Sequence, residues 1–592
     1  MITTWRDPKT EQSIVENISL EEPWRLVEHF STLTRLSGSE DEAKAVAYIT
    51  GRLDDWGVPY VVHRPTCLIS LPGPATLRTL GPAERSFRVK TPSFSPSTGG
   101  QEVTGELVYV PGRQASGIGD LFSAGRPAPP RDLRGKIVLT EGLGIAARGL
   151  DLAGSGATAA IFINPGEGIH EGITTTSWGS PDLDSLGRVP PVPILAINHP
   201  DGEALKALLQ EGLVQVAFSN QVEIGWRQIP VTVAEIAGAQ AADEFVLFHG
   251  HLDSWHVGVG DNATGDATLL EIARVFHQHR DQLRRTIRMA WWSGHSHGRY
   301  AGSTWYADTF AIDLAENCVA HVNCDSPGCR WATEYRDVNW MAEAAELGRE
   351  AIRDVTGQDA TGERPLRAGD CSFNNLGIST YLMLSSTMPL DLVHEKGYYA
   401  VGGCGGNVAW HTEADTLEIA DRDNLLRDMR VYATTLLRTL NAPIHPLDYR
   451  ATVDEIEEQV GRYQAAAGDA FDFSPSLQAT RNLRHTLDRF YGVAETLLGR
   501  EVDDTAVRRT NTLQRMLARA LVTLSYSRDG RFRQDPARLI PPLPDLAPAT
   551  ELADVAPGSD RYHVLRTHLT RGQNRLVWDL RRAERRIAET VE

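Results

Sequence analysis

Apolar positions recur at helical spacing from Leu20 to Leu33, and again from Ala43 to Trp56 behind the acidic stretch Ser39-Glu40-Asp41-Glu42. Gly57 stops the second helix, and Val58–Val62 reads as a strand. Between Cys67 and about Gln228 short apolar runs alternate with Gly and Pro: Leu68–Ser70, Glu102–Tyr109, Lys136–Thr140, Ala159–Ile163 and Val192–Ala196. Pro-rich Arg126–Pro130 and Gly-rich Gly166–Gly172 punctuate them, and Gly202–Glu211 has a helical pattern. From Val231 continuous apolar strands alternate with helices: Phe245–His249, the helix Ala267–His279, then Thr286–Trp292, Val319–Asn323 and Thr380–Leu384. Unbroken apolar strands of this kind predict a mainly parallel sheet covered on both faces. After about Pro446 four helical patterns follow, at Val453–Ala466, Leu477–Leu498, Ala506–Leu524 and Leu565–Ile587. The expected organisation is an α/β domain from residues 1–66 and 229–445, a β-rich insert at 67–228 and a helical domain at 446–592.

A chain of 592 residues with 41% hydrophobic and 23% charged residues is globular in composition and too long for one core. The formal net charge of −18 repels phosphate backbones and argues against nucleic acid as a partner. With no leader-like start and no apolar run long enough to span a bilayer, a cytoplasmic protein without membrane contact is expected. Cys67, Cys318, Cys324, Cys329, Cys371 and Cys404 have neither zinc-ligand spacing nor the density of a disulfide framework, and read as reduced, buried residues.

The chemistry concentrates between Phe245 and Tyr306. His251 lies just past the carboxyl end of a strand, and Asp253 is placed to hold its other ring nitrogen. Asp261 sits on a glycine-flanked loop, Asp325 follows the strand ending at Asn323, and His411 follows the glycine-rich run Gly402–Gly406. Two imidazoles and two carboxylates suit a divalent metal such as zinc. Each alone is an ordinary turn or cap residue. Their common position at strand and loop ends of one sheet gives them weight.

HLDSW, GVGDNATG, RRTIRMAWWSG and GRYAGSTWYAD, followed by AHVNCDSPG, GDCSFNNLGIST and AWHTEADTLE, resemble the motifs of the di-zinc aminopeptidase, glutamate carboxypeptidase II and transferrin receptor superfamily. LISLPGP, TGELVYV, LRGKIVLTEG, ATAAIFINPG and VPILAI resemble its protease-associated, or apical, domain, and the helical tail its dimerisation domain. The resemblance implies one metal on His251, Asp261 and Asp325, a second on Asp261 and His411, and a homodimer. It also implies a Glu-Glu pair, general base then ligand, where this chain has His295-Ser296 followed by His297. Ser296 is a poor zinc ligand. His295 and His297 are therefore the candidate catalytic residues, and His295 is also a candidate ligand, since neutral imidazole serves either role near neutrality.

Glu413 is a candidate acid beside His411, and His394 and Trp410 are candidates for the pocket wall. Arg288, Arg299 and Arg367 are each able to meet a substrate carboxylate. The expected function is metal-dependent hydrolysis of an amide bond in a peptide or N-acyl amino acid, with one or two ions, most simply zinc. The alternatives are a non-catalytic scaffold dimer of the transferrin receptor type, or a metal-dependent reaction other than peptide hydrolysis, as in glutaminyl cyclase.

Overall fold

The computed structural model describes residues 5–81, 84–112, 114–122, 132–145, 155–383 and 385–591. The Pro-rich segment Arg126–Pro130 and Leu384, the last residue of an expected strand, lie outside them.

A six-stranded sheet organises the α/β part, in the order Tyr60–His63, Val231–Ile236, Arg285–Trp292, Ala241–His251, Cys318–Asn323, Ser379–Tyr381. Val231–Ile236 runs antiparallel to both of its neighbours, and the remaining neighbours run parallel. Side chains alternate across each strand. Val246, Phe248, Met289 and Trp291 pack with the helices Glu21–Phe30, Glu40–Trp56, Thr264–Gln278 and Arg422–Asn441, whereas Phe245, Leu247, Ala290 and Trp292 join a second cluster with Tyr306 and Phe373. Both faces are thus buried, which explains the unbroken apolar runs. Register aligns His251 with Trp292 and His249 with Asn323, so the carboxyl ends of three adjacent strands finish at one edge.

A separate seven-stranded sheet lies between Thr66 and Gln228 in the chain, in the order Ser86–Phe87, Thr66–Leu80, Val214–Gln228, Val103–Tyr109, Lys136–Glu141, Ala159–Ile163, Ile194–Ile197. The run expected at Leu68–Ser70 is the start of the fifteen-residue strand Thr66–Leu80, paired antiparallel with Val214–Gln228. The prolines that interrupt the apolar run sit at a register shift between Pro72 and Ala75, where proline is tolerated. Val214–Gln228 lies outside the strands expected above, although Val222, Ile224 and Trp226 alternate with polar residues and glycine in its largely exposed outer half.

The tail forms the helices Tyr449–Ala467, Ser474–Glu495, Thr505–Tyr526 and Asp560–Val591. Its apolar faces continue the main core of the α/β part. Arg519, buried on the third helix, donates to the carbonyls of Leu314, Ala315 and Cys318 around the end of the helix Ala311–Asn317 and of Gly377, and clamps the tail to the α/β part. All six cysteines are buried and free. No helix among the described residues is long and apolar enough to cross a membrane.

Candidate metal centre and active site

His251 ends the central strand, and its Nδ1–H donates to the carbonyl of Asp253 at 2.8 Å. This corrects the expected pairing with the Asp253 carboxylate: two residues past a strand end, the backbone is nearer than the side chain. Nε2 then faces the Asp261 carboxylate at 2.8 Å and Asp325 at 3.8 Å. His411 repeats the arrangement, with Nδ1–H donating to the carbonyl of Glu171 at 3.0 Å and Nε2 lying 3.1 Å from the other oxygen of Asp261. Asp261 therefore stands between the two imidazoles.

Neighbouring groups hold that carboxylate in place. The buried Asp415 side chain accepts from the N–H of Gly260 and of Asp261 at 2.7 and 3.0 Å. Asn262, joined to Asp261 by a cis peptide, donates to the carbonyls of His251 and Cys324, and its Oδ1 accepts from the N–H of Ser326. The loop is thereby pinned to the ends of two strands. Burial, against the help of the two N–H donors, pushes the Asp415 carboxyl up to about 7.

The donor set fits a cation. With each Nδ1–H committed to a carbonyl, Nε2 approaches a carboxylate this closely only around a shared proton or metal ion. The charges agree. Burial opposes ionisation of both partners, yet the Asp261 and Asp325 side chains hold the His251 pKa well above its usual value. His251 and His411 likewise hold Asp261 well below the carboxylate range. One ligand atom each from His251, His295 and Asp325 lies within 4.8 Å of the others.

His295 reaches this cluster from the short helix His295–Gly298, which follows the strand Arg285–Trp292. Its ring stacks on His251 with centroids 3.7 Å apart. Nδ1–H donates to Asp370 at 2.7 Å, so Nε2 is the free nitrogen, an assignment made from the partner. Asp370 is buried and also accepts from the Ser303 hydroxyl at 2.5 Å. Asp253 has a different task from the one expected. Its oxygens accept from the N–H of His295 and Ser296 at 3.0 and 2.9 Å and from the Ser37 hydroxyl at 2.7 Å, fixing the start of the helix.

Three candidates are not part of the cluster. His297 packs behind it, with Nδ1 3.0 Å from the Ser37 Oγ and its ring against Trp255, because side chains two residues apart on a helical turn diverge by about 200°, rather than facing the same way as in an extended chain. Glu413 is half exposed and pairs with Arg88 and Lys90, so Asp415 is the supporting acid of this loop. His394 is exposed on the helix Leu390–Glu395. Trp410 does line the cleft and stacks on His411 at 3.7 Å. Asp370 lies within the motif GDCSFNN, yet nothing local marks its role. Its only signal is an acid on a loop between two motifs, and its partner is 75 residues away.

Residues 232–436 match the model of peptidase family M28. A probable glutamate carboxypeptidase VP8 of Zea mays is 23% identical over 496 residues, covering 72% of this chain and 67% of that protein. Carboxypeptidase Q of Xenopus laevis is 27% identical over 287 residues, covering 46% of this chain and 58% of its own length. Among solved structures, an aminopeptidase from Aneurinibacillus sp. strain AM-1 aligns with a TM-score of 0.53 at 21% identity, over 74% of this chain and 96% of that one. A peptidase M28 precursor from Shewanella amazonensis gives 0.55 at 20% identity, over 72% and 95%. These solved structures support the fold.

Proposed function

The α/β part of this chain belongs to the zinc aminopeptidase and glutamate carboxypeptidase superfamily, and from that premise we propose that the protein is a metal-dependent hydrolase of an amide bond in a peptide or N-acyl amino acid. The observation that carries the reading is the convergence of His251, Asp261, Asp325 and His411 with one ring nitrogen of His295 at the carboxyl edge of one sheet. Zinc is the proposed ion, held by His251, Asp261, Asp325 and His411. When bound, it supplies Lewis-acid polarisation of the carbonyl and a more acidic water.

His295 stands where the superfamily's motif has its general base, and four other donors are available to the ion. We therefore assign it the proton-accepting role. Nε2 takes a proton from the attacking water, and Asp370 stabilises the imidazolium through Nδ1–H. The same nitrogen returns the proton to the departing amine. Ser296 does not replace the ligand glutamate of the motif, since a neutral hydroxyl is a poor zinc ligand; its N–H donates to Asp253.

The test is metal analysis and kinetics on the zinc-loaded chain and its His295→Ala variant, with N-acyl amino acids and short peptides as substrates. The expected result is bound zinc in both proteins and a rate lower by about two to four orders of magnitude in the variant. Loss of zinc with the rate would make His295 a ligand. A wild-type protein that binds no metal, or a fully active variant, would overturn the reading.

A further inference from the structure

Three arginines near the active-site motifs are candidates to meet an anionic substrate, and two are already committed. Arg288 makes ion pairs with Glu235 and Asp313 and lies over Phe245. Arg367 donates to the carbonyls of Cys371 and Asp535 and to Gln534, and lies over Trp178. Arg299 differs. It is 3% exposed, yet its Nε and Nη2 have no hydrogen-bond partner among the described residues. Leaving a buried guanidinium unmatched is costly unless a ligand completes it.

Arg299 lines the same cleft as Asp261, Asp325, His295 and His411. The rest of the wall is largely apolar, with Ile118, Ile145, Ile173, Leu366 and Met383. Arg299 and Tyr300 both take left-handed backbone, with φ of 50° and 69°, which turns the chain sharply after the His295 helix. The Gly179 N–H donates to the Arg299 carbonyl at 2.6 Å and anchors the turn. The guanidinium carbon lies 5.1 Å from the Tyr300 ring, which also lies 4.3 Å from the Trp178 ring and 4.7 Å from the His295 ring. One aromatic ring thus separates the unmatched cation from the proposed base.

We propose that Arg299 is the specificity residue of this cleft and receives the free carboxylate of the amino acid on the leaving side of the scissile amide. A planar guanidinium matches a carboxylate with two parallel N–H donors, and apolar walls strengthen such a pair. The implied substrates are N-acyl amino acids and short peptides that end one residue beyond the cleaved bond, with an apolar side chain against the isoleucine, leucine and methionine wall. For the cleaved bond this rests on the hydrolase reading; for carboxylate binding it does not.

The test uses calorimetric titration of the zinc-loaded full chain with N-acetyl-L-leucine and with its carboxamide, repeated on Arg299→Met and Arg299→Lys. The wild type should bind the acid about 10- to 100-fold more tightly than the amide, the range of a charge-assisted hydrogen bond. Arg299→Met should bring the ratio toward one, and Arg299→Lys should keep part of it. Equal binding of acid and amide by the wild type, or binding of neither, overturns the proposal. So does a folded Arg299→Met protein with an undiminished preference. If the Met variant fails to fold, the wild-type ratio and the Lys variant decide. A preference for the acid without hydrolysis of any amide would sink the hydrolase reading alone, and hydrolysis without the preference would sink this proposal alone.

Discussion

At the scale of single residues, the site depends on how each imidazole is held. His251 and His411 are oriented by backbone carbonyls, whereas His295 is oriented by the Asp370 carboxylate. Asp370 acts through His295 and is a positioning residue. Asp370→Asn would leave a neutral acceptor or, with the amide turned, a donor facing Nδ1–H, and would weaken the hold on the tautomer. The expected outcome is a loss of roughly 10- to 100-fold in kcat with bound zinc retained, the usual scale for groups that orient active-site imidazoles. A shifted acid limb of the pH–rate profile would accompany it, and a merely structural role would not produce that. Unchanged kcat and pH profile would refute the role. In the sequence, His251, Asp261, Asp325 and His411 stand out because each falls at a strand or loop end. Asp370, Asp415 and Ser37 do not, because their partners come from distant segments.

At the scale of elements, strands are legible in the sequence where burial is two-sided. The expected Phe245–His249 is the inner part of Ala241–His251, and Ala159–Ile163 has the bounds its pattern predicts. The helices Ala345–Thr356 and Arg422–Asn441 carry apolar stripes at helical spacing as well, through Leu347, Ala351 and Val355 and through Leu425, Met429, Leu436 and Leu440, although they are not among the helices expected from the sequence above. Strand and tail are joined by Glu244, which pairs inside the protein with Arg285, Arg515 and His445. Burial alone would raise the Glu244 pKa, but His445, Arg285 and Arg515 together hold it far below the carboxylate range. A depressed folded pKa means the unfolded chain binds the extra proton. The stabilisation is complete above the normal carboxylate pKa and is lost progressively as pH falls below it. Glu244→Gln should leave Arg285 buried without its counter-charge and cost about 3–5 kcal/mol. Urea denaturation at pH 7 and pH 4 checks both statements. The gap between wild type and variant should shrink at the lower pH, and a constant gap would contradict the assignment.

At the scale of the whole molecule, the tail is docked rather than tethered, since its buried side chains extend the α/β core and Arg519 reaches four carbonyls of the α/β part. We infer that the homodimer expected from the resemblance forms through the outer face of Asp560–Val591, where Val564 and Trp578 stand 59% and 62% exposed. They are fourteen residues apart in the chain and share one helix face. Light scattering should give twice the mass of one chain, and Trp578→Glu should weaken association by about 2 kcal/mol or more. A monomeric wild type at micromolar concentration would contradict it. By itself the sequence determined the α/β class and the succession of the main strands along the chain, and it marked His251, Asp261, Asp325 and His411 as the candidates for a metal. Hydrophobic periodicity and strand-end position are local properties that survive in one dimension. The tertiary structure alone decided that His295 and not His297 faces those residues. It also decided that Asp415 replaces Glu413 as the supporting acid, and that Arg299 is the uncommitted cation. These depend on which distant groups meet, and therefore on packing between segments that no local pattern encodes.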